Sequence, residues 1–487
     1  MALRLYNTAT HEKQVFQPLE EGKVGIYVCG VTVYDLCHIG HARSTIVFDV
    51  LTRYLRARGF QVTYVRNFTD VDDKIIERAR LLGKNTTALA QEFIDAFYED
   101  MGRLGVLNAD VEPKATDHVD GMIEMIETLI DRGYAYVEGT DVYFSVTSFR
   151  DYGSLSGRKL EDMRAGSRIA VDDRKRHPMD FVLWKSAKEG EPVWPSPWGP
   201  GRPGWHLECS VMSNRYLGTS FDIHGGGRDL LFPHHENERA QSIGANGGSF
   251  ARNWVHNGFV TVESEKMSKS LGNFLTIRDA LKEYHPEVLR LFLISKQYRT
   301  PLDFSKSDVL GLQSGLVRIY RTLQRLEEIT GPYEEGLKET SEAPLAEEFP
   351  RDSFMGRFVE MMDDDLNTSG AIGLVFEKVR DMNRVMDGMQ GDADEETLRS
   401  LKNDRHQLNL IGRTLGLLQE KPEVFFEKVS ESSDRIDDEK IEKLVEERTV
   451  ARGRKDWARS DEIRDELKKM GVVLEDGPKG TSWRLDV

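Results

Sequence analysis

Residues 23–30 read Lys-Val-Gly-Ile-Tyr-Val-Cys-Gly, and His38-Ile39-Gly40-His41 follow them after a short gap. The first six residues are rich in β-formers, so they predict a strand that leads through a loop into a helix start. Helical apolar spacing over 44–58 predicts that helix, Gly59 predicts its end, and 61–68 predicts a second strand. This order is typical of a βαβ unit in a parallel sheet, where ligands bind at the carboxyl ends of the strands.

The rest of the chain divides by pattern. Residues 134–144 predict a hairpin and 191–203 are rich in proline, which indicates an insertion between two halves of the sheet. Helical apolar spacing from 305 to 418 predicts a bundle, whereas 419–439 is acidic with few periodic signals. The predicted boundaries are 1–110 for the first half of an α/β catalytic domain, 111–203 for a connective insertion, 204–305 for the second half, 306–420 for the helical bundle and 437–487 for a small C-terminal module.

The composition indicates a soluble protein of several domains. Its 487 residues exceed the usual single core, and no stretch approaches the ~20 apolar residues of a membrane span. The N-terminus lacks a basic segment that leads into an apolar one, so we expect a cytoplasmic protein without a membrane partner. Three scattered cysteines argue against a disulfide framework. The net charge of −16 argues against coating of nucleic acid by bulk electrostatics, so RNA contact requires a local basic patch.

The tetrapeptide His38-Ile39-Gly40-His41 carries two imidazoles at the predicted helix start. The helix dipole and the free N–H groups there favour a phosphate, and the imidazoles add donors. By itself the tetrapeptide is also compatible with a chance helix start that carries a partly buried histidine.

A second motif, Lys266-Met267-Ser268-Lys269-Ser270, carries two ammonium groups and two hydroxyls on a predicted loop. Such a loop can close on a triphosphate and open again, although the run alone is as typical of a solvated basic loop. The two motifs together, 225 residues apart from position 41 to 266 and flanking a split sheet, favour ATP-dependent adenylate formation.

Several further stretches accompany the two motifs: Cys29-Gly30, Tyr34-Asp35, His38 to Arg43, Asn67 to Lys74, Pro203 to Ser210, Phe232 to Glu238, Trp254 to Phe259 and Lys266 to Phe274. In these stretches, and across nearly its whole length, the sequence resembles the class I aminoacyl-tRNA synthetases, and within that class the cysteinyl-tRNA synthetase family. One departure is Val31, where the family usually has proline. The resemblance implies a Rossmann-like class I catalytic domain with an insertion, followed by an α-helical bundle and a small C-terminal anticodon-binding module.

The resemblance also implies one zinc ion per subunit, with Cys29, Cys209, His234 and Glu238 as ligands. Two thiols are soft ligands, and His234 and Glu238 are four residues apart, as on one helix face, so the residue types suit zinc. From the residues alone, Cys37 and His235 remain alternatives, and so does a zinc site that only braces the fold.

The other expected sites also follow from the resemblance. His38, His41, Lys266 and Lys269 are the expected catalytic and ATP-binding residues, with ATP and Mg²⁺ as the substrate. The expected L-cysteine pocket consists of Gly30, Thr32, Thr69 and Trp205. His206, His224 and His256 are expected to orient the substrate or to support the metal ligands. Each of these residues is also compatible with an ordinary core position. Arg452, Trp457, Asp461 and Asp476 are expected to read the anticodon of tRNA(Cys), because basic groups beside an exposed aromatic suit unstacked bases. The alternative is a solvated helix with Trp457 packed inward.

The resemblance implies that the chain activates cysteine with ATP and transfers it to the 3′-terminal ribose of the tRNA, as a monomer. The nearest alternative is a ligase that joins cysteine to an amino sugar, a family that lacks the RNA-reading tail. A non-catalytic RNA-binding protein braced by zinc is a further alternative, which the two histidines and two lysines of the motifs argue against.

Overall fold

The computed structural model describes most of the chain, and its residues form two compact units. The first unit comprises Met1–Ile277, Leu293–Asp303 and Glu339–Ala371, and the second comprises Arg278–Phe292, Phe304–Lys338 and Ile372–Val487. The described residues are 2–160, 174–263, 265–266, 274–332, 345–346, 348–389, 393–433, 438–454, 456–469, 472–477 and 480–485.

The elements alternate between strands and helices up to about residue 300, and helices predominate after it. In the first part they are β1 (Arg4–Asn7), β2 (Glu12–Val15), β3 (Lys23–Thr32), α1 (Ile39–Ala57), β4 (Gln61–Thr69), α2 (Asp73–Leu82), α3 (Thr86–Arg103), α4 (Val119–Asp131), β5 (Ala135–Glu138), β6 (Asp141–Phe144), β7 (Phe181–Ser186), β8 (Gly201–Pro203), α5 (Trp205–Leu217), β9 (Phe221–Gly227), α6 (Glu236–Asn246), β10 (Ala251–Asn257), β11 (Val260–Val262) and β12 (Glu265–Lys266). The later elements are α7 (Ile277–Glu283), α8 (Pro286–Ile294), β13 (Leu302–Phe304), α9 (Lys306–Thr330), α10 (Phe354–Asp363), α11 (Thr368–Asp387), α12 (Glu395–Leu415), α13 (Pro422–Ser433), α14 (Asp438–Gly453), α15 (Trp457–Lys469), β14 (Val472–Gly477) and β15 (Gly480–Leu485).

The centre of the first unit is a parallel sheet of four strands in the order β10-β9-β3-β4. Helix α1 connects β3 to β4, so the predicted βαβ unit is confirmed. Its apolar face is buried throughout, with Ile46, Leu51 and Leu55 at 0% exposure, and Gly59 turns the chain with a φ of 91°.

The segment between β4 and α5 contains a second sheet. Strands β5, β6, β7 and β8 pair antiparallel in sequence order, and β5 and β6 form a hairpin at the predicted place. Its apolar side chains, among them Phe144, Leu183 and Trp184, belong to the same buried cluster as Cys29 and Cys209.

Two local predictions were wrong. Lys266 does not lie on a loop, because it pairs with Thr261 at the end of the β11–β12 hairpin. The acidic stretch from 419 contains helix α13, which the sequence did not indicate. The reason is that few apolar residues of this helix are buried, among them Phe425 and Val429, and Phe425 stacks on Tyr320 with ring centroids 3.8 Å apart.

The second unit is mainly helical in its described residues and ends in the β14–β15 hairpin. The predicted helices of the bundle and of the C-terminal stretch are present as α9, α11, α12, α14 and α15. Within the described ranges, the helices are all too short or too polar to cross a lipid bilayer.

Candidate active site and metal centre

Four side chains that could bind a metal converge in the first unit. Cys29 lies on β3, Cys209 on α5, His234 in a π-helical turn over Leu231–His235, and Glu238 on α6. One ligand atom of each lies within 4.8 Å of the other three. Glu238 Oε1 is 3.2 Å from Cys29 Sγ and 2.9 Å from His234 Nε2. These four residues are called the first ligand set below.

The charges of the first ligand set depend on one another. Burial opposes the charged form of His234, but the Glu238 carboxylate and the Cys209 sulfur outweigh it and raise the His234 pKa to about 10. Burial also opposes a Cys209 thiolate, but hydrogen bonds from Cys29 and His234 lower the Cys209 pKa to about 6. Burial raises the Cys29 pKa well above its usual value. Although burial opposes its ionisation as well, Glu238 has a pKa far below the usual range because His224 and His234 lie beside it. Without a cation, the set therefore contains one thiolate, one thiol, one imidazolium and one carboxylate near neutral pH.

Three neighbours orient the ligands. His206 Nδ1 lies 2.8 Å from His234 Nδ1, and burial followed by the charge of His234 lowers the His206 pKa to about 3. The neutral His206 therefore accepts the Nδ1 proton of His234, which leaves His234 Nε2 for a metal. His224 Nε2 lies 2.8 Å from Glu238 Oε2, so Oε1 remains directed at the set. Trp205, which is 38% exposed, stacks on the His234 ring at 4.2 Å.

A second group of possible ligands overlaps the first. Its members are Cys29, His224, His235 and Glu238. His235 Nδ1 lies 2.8 Å from His256 Nε2, and His256 Nδ1 lies 2.8 Å from Thr8 Oγ1. His256, one of the residues predicted to orient the substrate or support the metal ligands, thus has contacts to His235 and to Thr8 at its two ring nitrogens. Cys37 belongs to neither group.

Three predicted pocket residues lie at the carboxyl ends of β3 and β4. Thr32 and Thr69 are register partners there. Gly30 N donates to Asn67 Oδ1 at 2.9 Å, and a Cβ at position 30 would lie 1.6 Å from Asn67 O, so only glycine fits. Thr69 Oγ1 donates to Glu208 Oε2 at 2.7 Å, and burial raises the pKa of the Glu208 carboxyl well above its usual value. Burial therefore disfavours the charged form of Glu208 beside Cys209.

The two motif histidines cap helix α1. His38 Nδ1 accepts from Gly40 N at 3.0 Å, and His41 Nδ1 accepts from His38 N at 3.2 Å, with the two rings stacked at 3.8 Å. Burial, His38 and Lys74 lower the His41 pKa to about 3, so this ring is neutral. Because both Nδ1 atoms accept hydrogen bonds, the N–H group that each ring can donate is on Nε2. The pair therefore offers two Nε2 donors at a helix N-terminus.

Arg43 joins this helix to the strand pair that ends in Lys266. Its buried guanidinium donates to the carbonyls of Gly258 at 3.1 Å and Phe259 at 2.7 Å, directly before β11. Ile39 N also donates to Leu275 O at 3.1 Å, just after the lysine motif. The side chain of Lys266 and the whole of Lys269 lie outside the described residues.

The predicted anticodon residues lie in the second unit. Arg452 on α14 and Trp457 and Asp461 on α15 are exposed, and Trp457 is 58% exposed, so its indole is not packed inward. Asp461 Oδ1 lies 3.3 Å from Arg464 Nη1. Asp476 lies on β14, but its side chain is outside the described part of the chain.

Sequence reasoning missed Arg43, Asn67 and Glu208. Asn67 Oδ1 lies 3.6 Å from Cys209 Sγ in addition to its bond with Gly30. Each of the three is hydrogen-bonded to a residue at least 37 positions away in the sequence, so local patterns do not show the contact. The signal that could have found them is their position inside the quoted motif stretches, next to His41, Thr69 and Cys209.

Comparison with protein-family models gives three matches along the chain. Residues 15–314 match the model described as "tRNA synthetases class I (C) catalytic domain". Residues 357–419 match a "DALR domain", and residues 438–484 match a "Cysteinyl-tRNA ligase anticodon binding domain".

Similar proteins cover the whole chain. A "Cysteine--tRNA ligase" of Pelobacter propionicus is 54% identical over 493 residues, covering 100% of both chains. One of Desulfotalea psychrophila is 50% identical, covering 100% of this chain and 99% of its own. A solved structure, Mycobacterium tuberculosis methionyl-tRNA synthetase in complex with methionyl-adenylate, covers 81% of this chain and 92% of that chain with a TM-score of 0.59. At 17% identity that likeness concerns the fold, which is the predicted class I architecture.

Proposed function

The chain belongs to the cysteine--tRNA ligase family of class I aminoacyl-tRNA synthetases, and we propose that its first ligand set binds one zinc ion that selects cysteine. The family carries out ATP-dependent ligation of an amino acid to tRNA. The single observation that carries the zinc proposal is the convergence of Cys29, Cys209, His234 and Glu238 within 4.8 Å.

The donors of the first ligand set fit zinc. Two sulfurs, one imidazole nitrogen and one carboxylate oxygen make a mixed set that suits a borderline metal with four ligands. Glu238 is ionised and Cys209 has a pKa of about 6, so two of the four ligands are already deprotonated near neutral pH. His206 and His224 keep one atom of His234 and one of Glu238 directed at the centre.

Zinc in this set would supply a thiophilic centre that accepts the substrate's sulfur as thiolate. The enzyme would then select cysteine over serine through one metal–sulfur bond. Hydrogen bonds alone would discriminate poorly between the two amino acids, because a thiol and a hydroxyl are nearly isosteric. Trp205 borders His234, and we assign it, with Gly30, Thr32 and Thr69, to the cysteine pocket. His206 and His224 orient the zinc ligands His234 and Glu238 by hydrogen bonds. His256 is hydrogen-bonded to His235, the residue after His234.

For the first chemical step we assign phosphate binding to the two motifs. The cysteine carboxylate attacks the α-phosphate of ATP, which forms cysteinyl-adenylate and releases pyrophosphate. His38 and His41 donate from Nε2 to the phosphates at the start of α1, and Lys266, Lys269 and a Mg²⁺ ion that accompanies ATP balance the remaining charge. The protein supplies no nucleophile in this step.

The second step transfers the cysteinyl group from the adenylate to a hydroxyl of the terminal ribose of tRNA(Cys) and releases AMP. We assign anticodon contacts to Arg452, Trp457, Asp461 and Asp476, because the first three are exposed on the small C-terminal module. The match of 438–484 to an anticodon-binding model disfavours the amino-sugar ligase, which lacks such a module. We also propose that the enzyme works in the cytoplasm as a monomer.

Cysteine-dependent exchange of labelled pyrophosphate into ATP tests the proposal. Zinc-loaded enzyme should catalyse the exchange, a chelator should remove both the zinc and the exchange, and added zinc should restore both. Metal analysis of the same samples gives a readout independent of activity. A zinc-free enzyme that exchanges pyrophosphate as fast as the loaded one would contradict the assigned role of the metal.

A further inference from the structure

Two consecutive residues of the first unit have a backbone conformation that side chains rarely adopt. Asp365 has a φ of 62° and Leu366 has a φ of 52°. Neither is a glycine, and both are buried, at 0% and 2% exposure. A left-handed residue other than glycine is strained, so its surroundings must hold it, and such residues cluster where a protein orients a functional group. The contacts of Asp365 identify the element that this strained pair supports.

The Asp365 carboxylate binds the turn formed by residues 297–300. Its Oδ1 accepts from the Tyr298 hydroxyl at 2.8 Å, and its Oδ2 accepts from Arg299 Nε at 2.9 Å. Oδ1 also accepts from Tyr6 N on β1 at 2.8 Å. Because donors from two separate segments converge on one buried carboxylate, the turn cannot move without breaking several hydrogen bonds at once.

The same turn supports the strand pair that leads to Lys266. Tyr298 O accepts from Gly258 N at 2.8 Å, and a Cβ at position 258 would lie 2.7 Å from Arg299 O, so the two backbones are in direct contact. The turn is followed by β13, which pairs with β11, and β11 pairs with β12, whose last residue is Lys266. A displacement of the turn would therefore displace the backbone of Lys266.

Helix α1 binds the turn as well. Arg43 donates from Nη2 to Tyr298 O at 3.3 Å and also to Thr300 O. Arg43 therefore holds the carbonyls of the turn, whereas Asp365 holds its side chains. Since Arg43 follows His41 by two residues, the turn joins the helix of the histidine motif to the strands that lead to the lysine motif.

We propose that Asp365 is a positioning residue for the ATP site, because it fixes the 297–300 turn and thereby the backbone of Lys266. The inference rests on the phosphate binding proposed for the two motifs. The bonds of Asp365 go to the polypeptide, so it acts through the turn and not on the substrate.

Asp365→Asn tests the inference in the full chain. The amide keeps one oxygen for Tyr6 N and the Tyr298 hydroxyl, but it turns an NH2 group towards Arg299 Nε and Gln297 Nε2, which are donors themselves. We expect kcat/KM for ATP in the cysteine-dependent pyrophosphate exchange to fall by about 10- to 100-fold, mainly through KM, since a misplacement of about 1 Å costs up to ~100-fold. Zinc content and the KM for cysteine should stay unchanged, because the first ligand set contains no residue of the turn or of β11–β13.

The matched control is the neighbouring carboxylate. Asp364 has a side chain that is 52% exposed and forms an ion pair with Lys13 at 2.6 Å. Exposed ion pairs contribute little, so Asp364→Asn should leave all three quantities as they are. Tyr298→Phe removes a single bond to Asp365 and should raise the KM for ATP in the same direction but by less. If Asp365→Asn does not fold, Tyr298→Phe decides the question.

Hydrogen–deuterium exchange over residues 258–262 gives a readout that does not depend on activity. The Gly258 amide is bonded to Tyr298 O, so it should exchange faster in Asp365→Asn and in Tyr298→Phe but not in Asp364→Asn. A folded Asp365→Asn with the KM for ATP of the natural enzyme overturns the inference. So does a fall in kcat alone that matches a loss of titratable active sites, because that reports unfolded enzyme. Natural enzyme without cysteine-dependent exchange would instead overturn the proposed function.

Discussion

The first ligand set and the C-terminal module would select their ligands by opposite physical means. Cys209, His234 and Glu238 are at most 1% exposed, and each has a partner that fixes its orientation. Arg452 and Trp457 project into solvent from helices α14 and α15. A buried cluster is desolvated and oriented before the substrate arrives, so the loss of one atom has a large effect. An exposed surface contributes through separate contacts, each of modest free energy.

The largest expected effect comes from Cys209→Ser. A hydroxyl is a poor zinc ligand at neutral pH, and its partners His234 and Cys29 would remain buried beside it. We expect cysteine-dependent pyrophosphate exchange to fall by more than about 100-fold. Loss of a residue that only hydrogen-bonds to a metal ligand costs about 10- to 100-fold, and loss of a ligand itself should cost more.

The matched control is Cys37→Ala. Cys37 is also buried, and burial raises its pKa to about 12, but it belongs to neither ligand group. This variant should bind zinc normally and retain exchange within a few-fold. If both cysteine variants lost activity equally, the cluster would not be the selective element.

The pH dependence of zinc binding sharpens the comparison further. With pKa values of about 10 for His234 and well above the usual range for Cys29, both groups carry a proton at pH 7–9 that zinc must displace. Affinity should therefore rise with pH, by about 100-fold per unit for two displaced protons. Below pH 6 Cys209 is protonated as well, so the slope should steepen towards three protons.

Calorimetry in buffers of different ionisation enthalpy counts these protons directly. About two should be released at pH 8. Release of none would show that Cys29 and His234 are already deprotonated in the metal-free enzyme, and the charges assigned to the cluster would be wrong.

The difference between the two regions also limits what the sequence could predict. The βαβ unit could be predicted because its signals are local in the sequence. The β-forming residues of β3, the helical apolar spacing of α1 and the helix end at Gly59 each lie within a short stretch of chain. The choice of ligands did not follow from such local signals. The residue types left Cys37 and His235 open, since no local pattern tells which buried thiol faces the ligand cluster. Cys37 lies outside both groups, whereas His235 belongs to the second. Helix α13 was missed because few apolar residues anchor it.

In the exposed module the effect should be smaller. Trp457→Ala removes an indole that is 58% exposed, and one stacked base is worth about 1–3 kcal/mol. We expect the KM for tRNA(Cys) to rise by about tenfold, while pyrophosphate exchange stays unchanged. Val450→Ala, which removes an exposed apolar side chain on the neighbouring helix α14, is the control and should alter neither quantity. A loss of exchange in Trp457→Ala would show that the module acts on activation as well.

The smallest effect tests whether the inserted segment supports the buried cluster. Tyr152 donates its hydroxyl to Asn237 Oδ1 at 2.5 Å, next to Glu238, whereas Tyr136 donates to Asp180 at 2.8 Å within the insertion. Tyr152→Phe removes one hydrogen bond, whereas Tyr136→Phe removes two, because Arg176 N also donates to the Tyr136 hydroxyl at 2.8 Å. Both changes should lower the free energy of unfolding, by about 1 kcal/mol for each bond lost. Only Tyr152→Phe should also weaken zinc binding, by a few-fold, because only Asn237 lies on the helix that carries Glu238. Equal zinc affinity in the two variants would mean that the insertion stabilises the fold without orienting the metal ligands. The buried cluster would then be held by the parallel sheet and by His206 and His224 alone.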